Sequence, residues 1–280
     1  MMNKNTIGFL LIVMLFISVP LLWAGPYPPA ADEVGSHAIS MHDPALISWA
    51  TGYSDYIVGE NVDQTWQVPG NALGMAEGNS FDIVALGSGG RLTLTFDPPI
   101  ENGEGWDFAV FENSFSDRYL ELAYVEVSSN GIDFVRFDTI SLTVHPVPGF
   151  GNIDPTDVDG LAGKYRQGYG TPFNLEDLSD KPGVLSGDVD LSGISFVRIV
   201  DVVGDGSFLD SVGEIIYDPY PTAGSAGFDL DAVGVSNGAP YPAGEYVPPE
   251  PPANNGKSGF GEDTGCFVMS ILPNSVPLYK

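Results

Sequence analysis

The chain has 280 residues, with 37 Asp and Glu against only 10 Lys and Arg, and a formal net charge of −27. That sign excludes the counterion-releasing chemistry of nucleic-acid binding and disfavours anionic membrane surfaces, while the carboxylates suit hard divalent cations. One Cys and three His exclude an internal disulfide and leave little material for zinc or a histidine base.

The first predicted element is an export signal. Lys4 supplies a positive charge, residues 7–19 are apolar, and Leu22-Trp23-Ala24 ends in a small residue before Gly25. This pattern predicts a secretory signal peptide over 1–24, cleaved near Ala24. The apolar run falls short of the about 20 residues that span a bilayer. The mature chain is therefore expected to be secreted or held at the cell surface, with no transmembrane helix.

Residues 25–238 are expected to form one all-β domain, an antiparallel sandwich of the jelly-roll kind. A helical turn is predicted near 44–52. Strands are predicted at 81–86 and 91–96, joined by Gly87-Ser-Gly-Gly90 as a tight hairpin. In the second of these, Leu92, Leu94 and Phe96 share one face and Thr93 and Thr95 the other, which is the period of a half-buried strand. Further strands are predicted at 107–112, 121–128, 134–137, 194–203, 214–217 and 230–235. Asn130-Gly131 tolerates positive φ and supplies a hairpin turn. Residues 145–189 are too long for an ordinary connection, and Tyr165, Tyr169 and Phe173 are expected to fold this loop against the sandwich, with a short helical turn near 175–178. Residues 239–280 read as a Pro- and Gly-rich linker and tail that carries Cys266. The apolar patch at 266–272 is too short to cross a bilayer.

Two groups of residues could carry function. Asp229 and Asp231, two apart on one strand, and Glu112-Asn113, ending another, offer oxygens for a structural calcium ion. The competing use of such residues is to cap turns and solvate sheet edges. Gly163-Lys-Tyr-Arg-Gln-Gly-Tyr-Gly-Thr-Pro-Phe173 combines rings with a planar guanidinium. Tyr165, Arg166, Tyr169 and Phe173, joined by Trp106, therefore form a candidate surface for an extracellular glycan or small molecule. The same rings could simply pin the loop to the core. No catalytic constellation stands out. Gly87–Gly90 lacks the Lys and helix of a phosphate loop. With acids so abundant, chance pairs are expected, and the chain is read as a non-enzyme.

Leu86-Gly-Ser-Gly-Gly-Arg-Leu-Thr-Leu-Thr-Phe96, Asp107-Phe-Ala-Val-Phe-Glu-Asn113, Ala123-Tyr-Val-Glu-Val-Ser-Ser129 and Gly227-Phe-Asp-Leu-Asp-Ala-Val233 resemble segments of a group of bacterial cell-surface proteins. The resemblance covers roughly residues 35–236. It implies a galactose-binding-like jelly roll of the kind used by carbohydrate-binding modules. Gly265-Cys-Phe-Val268 is similar to the sorting tails of some such proteins, which implies envelope association through the tail. The alternatives that remain are a structural or adhesive envelope protein and a carboxylate-dependent glycoside hydrolase.

Overall fold

A computed structural model describes residues 24–240. Residues 1–23, which hold most of the expected signal peptide, and residues 241–280, which hold most of the expected linker and tail with Cys266, lie outside the described residues. Among the described residues the chain forms thirteen strands: β1 (Ile39–Ser40), β2 (Ser48–Trp49), β3 (Gly52–Ile57), β4 (Val84–Ala85), β5 (Arg91–Ile100), β6 (Phe108–Glu112), β7 (Ala123–Ser128), β8 (Val135–Arg136), β9 (Ile140–Ser141), β10 (Val158–Asp159), β11 (Tyr169–Phe173), β12 (Ile194–Asp201) and β13 (Asp229–Val235). They build a six-stranded sheet in the order β1-β11-β6-β13-β2, with β4 also on β13, and a five-stranded sheet in the order β3-β5-β12-β7-β8. A β9–β10 pair stands apart. All strand pairings are antiparallel. No helix among the described residues is long and apolar enough to cross a membrane.

The two sheets pack as a sandwich, and the alternation in sequence shows why. From the five-stranded sheet, Leu92, Leu94, Val125, Val127, Val197 and Ile199 turn inward; Phe108, Val110, Leu230 and Val233 meet them from the other sheet. Each such side chain, fully buried, contributes about 1.5–3 kcal/mol. Between the inward residues of β12, Arg198 reaches Glu126 at 3.1 Å on the outer face. Phe108–Phe111 of β6 and Ala232–Val235 of β13 instead read as short runs without polar side chains, because both their faces are covered. On their outer side Ala109, Phe111 and Ala232 pack beneath Trp49, Ile39, Met41 and Leu46 from the N-terminal segment.

Four local expectations change. Gly87–Gly90 is not a hairpin: β4 belongs to the six-stranded sheet and β5 to the other, so the turn carries the chain between layers. Residues 44–52 hold extended β2 in place of a helical turn. Residues 214–217 form no strand, only a bridge of Leu209 with Ile215. The 145–189 loop does fold onto the sandwich, burying Val147, Ile153, Val158 and Leu161, but it also contributes β11 to the larger sheet. The 175–178 turn is present as a 3-10 helix capped by Asn174, whose side chain accepts from Glu176 N at 3.0 Å.

Candidate functional site

At one end of the sandwich β6 ends, β13 begins, and the chain re-enters β7. Buried carboxylates gather there. Glu112, Glu121, Asp201, Asp218 and Asp229 are each at most 6% exposed. Burial pushes Glu112, Glu121 and Asp218 well above the ordinary carboxylate range, and the neighbouring acids add to the rise. Burial likewise lifts Asp201 to about 7 and Asp229 to about 8. Among the described residues, no lysine or arginine forms an ion pair with any of the five.

Backbone amides account for part of this group. Asp218 Oδ1 accepts from Leu122 N at 2.7 Å, and Glu112 Oε2 from Ser114 N at 2.7 Å. Asp201 accepts from Gly89 N and Phe228 N, both at 2.8 Å, and so ties the turn between sheets to the start of β13. Gly227 permits this approach. It sits at φ +69°, and a Cβ there would lie 2.5 Å from Asp201 Oδ1.

Other oxygens have no such partner. Asn113 Oδ1, Glu121 Oε1 and Asp229 Oδ1 are buried without a hydrogen bond, and all three residues line one cavity of about 290 Å³. Its walls are aromatic: Trp66, Phe81, Phe115, Tyr119 and Phe150. Phe115 stacks on Tyr119 at 4.5 Å, and Tyr119 on Phe150 at 6.1 Å. Phe81, Phe115 and Phe150 are nevertheless 73%, 68% and 85% exposed, so rings meet solvent at the mouth while carboxylates lie at the floor. The Ser114 hydroxyl donates to the Tyr119 carbonyl and pins the loop between these rings.

The four residues read from sequence as metal ligands separate. Asp229 and Asn113 line the recess. Glu112 lies behind it, held by Ser114 N. Asp231 is spent elsewhere: a β-bulge between Leu230 and Ala232 interrupts the alternation, and the Asp231 carboxylate accepts from Glu77 N at 3.2 Å and Gly78 N at 3.0 Å. Bulges re-aim side chains in this manner. Among the described residues no three His, Cys, Asp or Glu side chains converge as a metal cluster.

The aromatic candidates do not line the recess. Tyr165 is 2% and Phe173 4% exposed. Phe173 stacks on Phe108 at 5.3 Å, the use of rings as loop anchors. Arg166 pairs with Asp32 and Asp117, each at 2.6 Å, and the Tyr169 hydroxyl donates to Asp32. Through Asp117, Arg166 braces the loop that carries Phe115 and Tyr119. Trp106 packs on the outer apolar cluster. It precedes β6 whereas Glu112 ends it, a separation of roughly 20 Å at about 3.3 Å per residue. Glu121 and the rings of the mouth were not among the sequence candidates. The available signal was an acid between two core leucines in Leu120-Glu-Leu122.

No known family's sequence profile matches this chain, and no curated protein matches it significantly.

Proposed function

We propose that the protein is an exported, non-enzymatic binding module of the bacterial surface or surroundings. In this reading its sandwich is a galactose-binding-like jelly roll, and the recess beneath Trp66, Phe81, Phe115, Tyr119 and Phe150 receives a glycan or another small hydroxyl-bearing molecule. The observation that carries the reading is the pairing of solvent-facing rings with unpartnered buried acceptors, Asn113 Oδ1, Glu121 Oε1 and Asp229 Oδ1, in one cavity. Rings contribute apolar area to the face of a sugar, and the acceptors take its hydroxyl protons. A cavity of about 290 Å³ is at the lower end of small-molecule sites. The export signal and the acidic surface fit a role outside the cell.

The test is a glycan and metabolite screen on the full chain in calcium-containing buffer, repeated with Trp66→Ala and Phe150→Ala. A hit weakened roughly tenfold by either substitution, which is about 1.4 kcal/mol, supports the reading. No hit in the screen, or hits indifferent to both substitutions, overturns it.

A further inference from the structure

We infer that the floor of the recess binds one hard divalent cation, calcium in an extracellular setting, through Glu121, Asp229 and Asn113. This deepens the reading above and rests on the same recess.

Glu121 is 4% and Asp229 6% exposed, yet each turns an unpartnered oxygen toward the cavity, and the Asn113 amide oxygen joins them. A buried acceptor without a partner costs about 1–3 kcal/mol, and more when it is charged. The other acids add like charge: Glu112 and Asp218 bear on Glu121, and Asp201 on both Glu121 and Asp229. A fold that retains this arrangement without lysine or arginine beside it is shaped around a positive charge brought from outside.

The donors identify the kind of charge. The residues lining the recess offer carboxylate, amide, hydroxyl and backbone oxygens, and none is His or Cys. That chemistry selects a hard cation over zinc or copper. Calcium takes six to eight oxygens, and three protein side chains leave positions open. Those positions face the aromatic mouth, where water or a ligand's hydroxyl groups complete the shell. Asp231 and Glu112 are not needed, since backbone amides already hold them. The cation thereby makes capture of the organic ligand calcium-dependent.

The experiment is calcium titration of the chelator-stripped full chain by calorimetry and thermal unfolding. It compares wild type, Glu121→Gln, Asp229→Asn, and Asp205→Asn, an exposed acid that accepts from Ser207 outside the recess. Wild type and Asp205→Asn should bind one ion with a dissociation constant of roughly 10⁻⁴–10⁻³ M or tighter and melt higher with calcium. The two recess variants should bind roughly tenfold or more weakly. In chelator they should melt no lower than wild type, because burial already opposes the charged form of both carboxyls. Absence of binding at millimolar calcium overturns the inference, as does a single-site titration retained in the Glu121→Gln/Asp229→Asn double variant. An organic ligand bound equally well in chelator also overturns it while leaving the binding-module reading intact. Calcium bound at this site by a chain that captures nothing in the screen does the reverse.

Discussion

Asp201 offers a direct measure of what the buried carboxylates cost. It ends β12, is 1% exposed, and accepts from Gly89 N and Phe228 N. Burial lifts its pKa from an ordinary 3.8 to about 7. The folded protein therefore holds a proton that the unfolded chain releases. Stability from this group is fully present below about pH 4 and is lost as pH rises toward 7. At about 1.36 kcal/mol per pH unit, the loss is roughly 4 kcal/mol. Asp201→Asn should remove this slope. Both carboxyl oxygens accept from backbone N–H groups, and an amide nitrogen cannot accept, so the variant strands one buried donor and should be less stable than wild type near pH 4 by about 1–3 kcal/mol. Between pH 4 and pH 8 the difference should shift in the variant's favour by roughly 4 kcal/mol, or on the order of 10 °C in a domain of this size. Loss of the Asp201 charge also relieves Asp218 and Asp229, which acts in the same direction. Urea unfolding of both proteins in chelator across this range is the assay. Stability curves that run parallel, or a variant as destabilised at pH 8 as at pH 4, would refute the reasoning.

Two further substitutions probe the frame. Asp107 is fully buried and accepts from Leu175 N at 2.6 Å, Gly103 N at 2.8 Å and Asn237 Nδ2 at 2.9 Å; Asp107→Ala strands the buried Leu175 amide and should cost roughly 3 kcal/mol, read as a melting temperature lower by about 6–12 °C. Phe108, fully buried, stacks on Phe173 and meets Phe137 edge-on at 6.0 Å; Phe108→Ala should cost about 3–5 kcal/mol in urea unfolding, and a cost below 1 kcal/mol would mean that the inner core closes over the gap.

The strands that were legible carry their period openly. β5, β7 and β12 alternate, and β6 and β13 each hold a short run without polar side chains, Phe108–Phe111 and Ala232–Val235. β11 was not legible because Tyr169-Gly-Thr-Pro-Phe173 contains two residues that strands disfavour. Its neighbour β1 pairs only with Tyr169 and Gly170, so Pro172, which has no N–H to give, lies where no partner on that side needs one. The recess was legible only in part. Asn113 and Asp229 stand at strand ends and could be picked out. Trp66, Phe81, Phe115, Tyr119 and Phe150 come from loops far apart in sequence, and no local pattern announces that they meet.

What sequence spacing could not supply was which carboxylates the backbone had already claimed. Asp107, Asp201, Asp218 and Asp231 each accept from backbone amides brought from elsewhere in the chain. Their burial is offset from within, and they read as structural pins between sheets and loops. Glu121 and Asp229 are equally buried, but each keeps an oxygen that no protein donor satisfies. Two acids with the same burial and different accounts of their hydrogen bonds therefore call for different explanations. For the pins, substitution strands a buried backbone amide and should loosen the fold at acid pH. For Glu121 and Asp229 in the absence of ions, neutralisation should leave the fold as stable or more so, and the loss should appear only when calcium is added. That opposition in sign, measured on the same chain, separates a binding floor from a structural cluster more sharply than the magnitude of either effect.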